Sequence, residues 1–155
     1  MTETREGGCA CGAVRFRLHG EPIFIHACHC TDCQRLSASA FGISMIVEAD
    51  RIETVAGTMT TVEMVADSGR TKSIYFCPAC GSQLWNKVPH RPGLLTLKAG
   101  SLDAVDWFRP QAHIWTRSKQ AWLQLADAAP HFETMYEAAE LWPAESLERA
   151  RLAAG

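Results

Sequence analysis

Seven cysteines carry most of the chemistry this sequence offers, and they fall into three groups: Cys9 and Cys11; Cys28, Cys30 and Cys33; Cys77 and Cys80. Thiols at such short spacings are metal ligands or a redox pair. The run Phe76-Cys77-Pro78-Ala79-Cys80-Gly81-Ser82 reads as a zinc knuckle, a tight turn whose backbone N–H groups point at sulfur, with Gly81 where such a turn needs positive φ. A redox Cys-x-x-Cys normally precedes a helix in an α/β setting, which is absent here. Seven divides as four plus three: four thiolates close a tetrahedral zinc ion, and three leave one ligand position unfilled by cysteine.

Spacing alone does not say which cysteines share an ion, because Cys30 and Cys33 with Cys77 and Cys80 would also make a two-pair ribbon. That grouping strands Cys9, Cys11 and Cys28, and its intervening stretch far exceeds the roughly 15–20 residues of a compact four-cysteine finger. The economical division wraps one ion with Cys28, Cys30 and Cys33 from a single loop and closes the other with Cys9, Cys11, Cys77 and Cys80. Two zinc ions per chain are the expectation.

The elements that must hold these groups read as mainly β. Val14, Phe16 and Leu18 alternate with Arg15, Arg17 and His19, the period of a half-buried strand entered directly from the first cysteine pair. A second extended run, Pro22 to Ala27, leads into the middle group, after which Gln34 to Ser37 suits a short helical turn. Further strands are predicted at 41–47, 51–55, 58–65, 72–76, 83–87, 94–98 and 111–115, with glycine and proline between them. Convincing helix is expected only late, at 133–141 and 143–152, with Pro143 in a first turn. Residues 1–155 read as one domain without repeat or linker.

Composition narrows the function. Fifteen Lys and Arg against 17 Asp and Glu give a net charge of −2, without the basic runs a nucleic-acid binder uses to neutralise phosphates. Anionic membranes are excluded as partners on the same ground. No window reaches the roughly 18–20 apolar residues of a membrane span, and Met1 to Gly8 has no signal core, so the cytoplasm is the expected compartment.

The residues Gly8-Cys9-x-Cys11-Gly12-x-Val14-x-Phe16, Cys28-His29-Cys30-x-x-Cys33 and Phe76-Cys77-x-x-Cys80-Gly81 resemble the glutathione-dependent formaldehyde-activating enzyme family, which includes centromere protein V. The likeness continues through Ala99-Gly100-Ser101-Leu102-Asp103 and His113-Ile114-Trp115 to Ser118-Lys119-x-x-Trp122. The resemblance implies a β-tent of small antiparallel sheets pinned by zinc, a structural ion on Cys9, Cys11, Cys77 and Cys80, and a catalytic ion on Cys28, Cys30 and Cys33. It also implies the family's reaction, the joining of formaldehyde and glutathione to S-hydroxymethylglutathione, formally a carbon–sulfur lyase reaction. No glutathione pocket can be read in the residues.

A three-thiolate zinc carries a net charge of −1 and is a weaker Lewis acid toward water than a three-histidine site. It suits a fourth sulfur, held as thiolate at neutral pH. The expected function is therefore a zinc-dependent carbon–sulfur lyase acting on adducts of a small thiol, such as glutathione, with an aldehyde. The alternative is a non-catalytic zinc-stabilised binding module, its second ion closed by His29, water or a partner; a redox sensor lacks a resolving pair. His29 is a candidate proton carrier, although adjacent side chains in an extended loop point apart. Asp32 and Arg35 read as solvated charge, His113 and Trp115 as core. Trp85, Trp107, Trp122 and Trp142 read as core and sheet cover, and His26, His90 and His131 have no spacing that singles them out.

Overall fold

The computed structural model describes residues 3–66 and 68–155; the leading Met1 and Thr2 of the expected polar start lie outside the described residues, as does Asp67. Alternation in the sequence translates directly into β structure. In β2 (Arg15–His19) Phe16 and Leu18 are fully buried while Arg15, Arg17 and His19 are half-exposed. β2 lies between β1 (Thr4–Gly8) and β5 (Ile52–Ala56) in an antiparallel three-stranded sheet.

The larger sheet has seven strands: β3 (Phe24–Cys28), β4 (Gly42–Glu48), β6 (Thr60–Val65), β7 (Thr71–Phe76), β8 (Gln83–Lys87), β9 (Leu94–Lys98) and β10 (Ala112–Ile114). Their spatial order is β10-β3-β4-β9-β8-β7-β6, antiparallel except for the β10–β3 pair. Phe16, Leu18, Met45, Val47, Leu84, Trp85 and Leu97 fill the core shared with the small sheet. A second core, of Ile23, Phe24, Ile46, Leu94, Tyr136 and Trp142, includes Cys28, Cys30 and Cys33. Leu147, Ala150 and Ala153 of α3 (Ala144–Ala153) pack against it. Full burial of an aromatic such as Phe16 is worth about 2–3 kcal/mol, so the first layer holds the two sheets together and the second holds the C-terminal segment on the large sheet. At Gly93 a Cβ would collide with the carbonyl oxygen of Ala153, so only glycine lets the end of α3 close onto the chain entering β9.

Several expectations need correction. β1 was not anticipated, because Thr-Arg-Glu-Gly-Gly has no apolar alternation; it exists through pairing with β2 over Thr4 to Gly8. The expected helix over 133–141 shrinks to α2 (Ala138–Leu141). The carbonyls of Phe132 and Thr134 accept from the N–H groups of Thr116 and Trp115, and Tyr136 is buried against Phe24, contacts a helix would break. The expected turn at 34–37 is the second half of α1 (Thr31–Ser37). Trp122 covers no sheet: it is 70% exposed, its indole N–H donating to Gln120.

Candidate metal centre

Two separate sulfur clusters emerge from the fold. In the first, Cys9 and Cys11 lie in the turn before β2 and Cys77 and Cys80 in the turn between β7 and β8. The sulfur atoms of all four lie within 4.8 Å of one another, with Cys9 to Cys11 at 3.5 Å and Cys11 to Cys77 at 3.9 Å. Four thiolates around zinc, each about 2.3 Å from the ion, stand about 3.8 Å apart, so this donor set fits a tetrahedral ion with little movement. Each turn aims polar groups at sulfur. Val14 N–H donates to Cys9 Sγ at 3.2 Å, and the Ser82 hydroxyl sits 3.2 Å from Cys80 Sγ. That hydroxyl and the Ser82 N–H bring the Cys80 thiol down to about 5. Gly81 has φ +75°, the left-handed geometry expected of it. The two turns are tied by Ala10 N–H donating to Ser82 Oγ at 3.0 Å.

The second cluster consists of Cys28, Cys30 and Cys33, their sulfurs also within 4.8 Å. They do not share one loop as expected. Cys28 ends β3, Cys30 caps α1, and Cys33 lies in its first turn, where its N–H donates to Cys30 Sγ at 3.3 Å. A strand end running straight into a helix start converges three sulfurs that an extended loop would splay. Hydrogen bonds among them, from Cys28 first, pull Cys33 down to about 2, while Cys30 and Cys33 push Cys28 far above the usual thiol range. Three thiols packed this closely cannot all ionise without a cation among them. Both clusters could hold a metal ion, and their all-sulfur donor sets are consistent with zinc.

The three cysteines open onto a cavity of about 550 Å³. Its floor is one face of the large sheet. The register sets His26 beside Ser44 and Cys28 beside Gly42, Ser44 beside Lys98, Ile46 beside Thr96, and Ile114 beside Cys28. The alternate residues Ile25, Ala27, Met45 and Leu97 face the opposite way. Arg70, Lys72, His90, Arg91 and Lys98 contribute positive or basic groups to the wall, against Asp32 and Glu137. Asp32 is buried, contrary to the expected solvated charge, because the start of α1 turns it toward Lys72, whose Nζ stands 3.9 Å away. Arg35 is exposed. No motif or spacing in the sequence singles out Arg91. Its Nε is buried without a hydrogen-bond partner, and among the described residues it has no carboxylate partner.

His29 does not line this cavity. It is fully buried behind the sheet, its Nε2 at 3.0 Å from Nδ1 of His113, and burial, reinforced by the charge of His113, holds its pKa down at about 4. His113 is buried as expected, and Trp115, with φ +57°, follows β10 and lies half-buried at the cavity edge. His26, on the cavity floor, lies 3.0 Å from the Tyr136 hydroxyl; burial, then Lys98 and Arg91, depress its pKa to about 3. Since the unfolded imidazole titrates near 6.5, the unfolded chain binds the extra proton first, and stability falls as pH drops below that value toward 3. His26 alone should cost about 2 kcal/mol between pH 6.5 and 5. Urea midpoints at the two pH values should therefore fall further for the wild type than for His26→Gln; equal falls would show that another group titrates.

The glutathione-dependent formaldehyde-activating enzyme family model matches residues 4–118. The chain belongs to that family. It is 29% identical over 126 residues to a Halomonas elongata protein provisionally named a glutathione-dependent formaldehyde-activating enzyme, covering 77% of this chain and 80% of that protein. A Penicillium rubens protein with the same provisional name is 30% identical over 107 residues, 66% of this chain and 54% of its own length. A crystal structure of a Rhodobacter sphaeroides protein aligns with TM-score 0.52 and 20% identity over 66% of this chain and 91% of that one, a likeness of fold. No described helix is long and apolar enough to cross a membrane.

Proposed function

We propose that this chain is a zinc-dependent carbon–sulfur lyase that makes or breaks the adduct between a small anionic thiol, glutathione in the first instance, and an aldehyde. The observation that carries this reading is an incomplete ligand set at a cavity wall: among the described residues no fourth His, Cys, Asp or Glu joins Cys28, Cys30 and Cys33. These three are assigned to a catalytic zinc, and Cys9, Cys11, Cys77 and Cys80 to a structural one. Zinc held by the three cysteines would lower the pKa of an incoming thiol and keep it nucleophilic at neutral pH.

The remaining work falls to the chain itself. In the addition, the thiol sulfur bonds to the carbonyl carbon, the C=O π bond opens, and the proton from sulfur ends on the former carbonyl oxygen; cleavage is the reverse. Such addition is intrinsically easy, so the cavity serves chiefly by positioning. Arg91, partly buried and without a carboxylate partner among the described residues, is positioned to receive a carboxylate of the thiol. His29, behind the sheet, is assigned a supporting role through His113 rather than contact with substrate.

Exchange of carbon-13 formaldehyde with glutathione, followed by NMR, should run faster than the spontaneous reaction with zinc-loaded protein and fall to the spontaneous rate after chelation. Arg91→Gln should raise KM for glutathione by about tenfold or more, the loss of one charge-assisted contact, and leave KM for a neutral thiol such as 2-mercaptoethanol unchanged. Exchange that is equally fast without zinc would overturn the lyase reading and leave a zinc-stabilised binding module.

A further inference from the structure

On the face of β10 away from the cysteine cavity, a second set of ligand-type side chains comes together. Ile114 faces that cavity; its neighbour His113 points the other way. Beside it runs the segment carrying His131, joined to β10 by a parallel bridge between His113 and His131. Two backbone hydrogen bonds lock that pairing, His113 N–H to Pro130 at 2.9 Å and Phe132 N–H to His113 at 2.8 Å. The two imidazoles therefore stand side by side, centroids 5.2 Å apart and edge to face. Asp127 reaches between them, with one carboxylate oxygen 2.8 Å from His113 Nε2 and the other 3.9 Å from His131 Nε2.

We infer that His113, Asp127 and His131 form a further binding site for a borderline divalent cation of the zinc type. The ligand atoms of all three lie within 4.8 Å of one another. Around a tetrahedral ion with bonds of about 2.0–2.2 Å to nitrogen and oxygen, ligand atoms stand about 3.2–3.6 Å apart. The two contacts use different oxygens of Asp127, so the carboxylate must turn to bring one oxygen to the ion beside both imidazoles. Asp127 and His131, with side chains 48% and 42% exposed, are free to make that adjustment, while His113, at 5%, is held. What holds it is His29, whose Nε2 lies 3.0 Å from the far nitrogen of the His113 ring. A buried partner on the second ring nitrogen is how proteins fix the orientation of a ligating imidazole. Two imidazoles and one carboxylate with a solvent-facing side are an open three-ligand set, which suits zinc, cobalt(II) or iron(II) over calcium or magnesium.

The site stands on the other face of the sheet from the sulfur ligands and touches the sulfur loop only through His29. Its ligands contain no cysteine, and the family match ends at residue 118, before Asp127 and His131. Zinc per chain, measured by mass spectrometry after equilibrium dialysis against micromolar free zinc, should be one ion higher for the wild type than for His131→Ala or Asp127→Asn. In cobalt-substituted protein, the wild-type-minus-variant difference spectrum should show weak visible bands without near-ultraviolet sulfur-to-cobalt charge transfer. Equal metal content in all three proteins, or a difference spectrum with sulfur charge transfer, would overturn the site; the first means an ordinary Asp–His pair, the second an indirect effect on a cysteine cluster.

Discussion

Cys77→Ser is expected to abolish cooperative folding and to release one zinc ion. Cys77 is fully buried, belongs to the core between the two sheets, and supplies one of four sulfurs joining the turn before β2 to the turn after β7. Structural zinc in small zinc-binding peptides is worth about 10–16 kcal/mol of apparent binding free energy near neutral pH, comparable to the whole stability of a domain, about 5–15 kcal/mol. Serine keeps the size of cysteine but not the thiolate, so the turn would lose the ion on which its sulfurs converge. Metal analysis together with a thermal melt checks this. A variant that melts where the wild type does, with unchanged zinc, would mean that the four-sulfur cluster is not a structural metal site.

Cys30→Ser should do the opposite, leaving the fold standing and removing the activity. Cys30 caps α1 through its sulfur, and serine is among the best capping residues, so the hydroxyl can take over the hydrogen bond from Cys33 N–H. The helix survives while the three-sulfur set drops to two. If the catalytic ion supplies about 4 kcal/mol of transition-state stabilisation, the zinc-dependent part of the exchange rate falls about a thousandfold. The expected signature is one zinc fewer per chain, a cooperative melt close to that of the wild type, and formaldehyde exchange at the spontaneous rate. Full exchange activity in a variant that has lost that ion would refute the assignment of Cys28, Cys30 and Cys33 to the reaction. The paired results separate the clusters: one loss removes the scaffold, the other the chemistry.

Most of the sheet was legible because its strands obey a period of two. The alternation from Val14 to Leu18 announced β2, and the strands at 83–87 and 94–98 fall where the residues placed them. The division of the cysteines into four and three was likewise readable, since spacing and thiol count restrict how ions can be shared, and the sulfurs group that way in space. β1 was hidden because its composition is polar and its existence rests on the strand beside it. The first half of the helix expected over 133–141 yielded to hydrogen bonds with residues 115–117, distant contacts that no local propensity reports.

What the sequence by itself determined, then, is the mainly β class and the three short-spaced cysteine groups, because alternation and short spacings are local properties of the chain; that Cys9 and Cys11 meet Cys77 and Cys80 is a tertiary fact. Only the tertiary structure decided that Cys28, Cys30 and Cys33 open onto a cavity with several basic groups in its wall and that Arg91 stands there with no carboxylate partner among the described residues. It alone turned His29 to the far side of the sheet and brought His113, Asp127 and His131 together. These facts depend on which face of a strand a residue takes once the register is set, and on segments far apart in the chain meeting across a β bridge, neither of which is encoded in any short window.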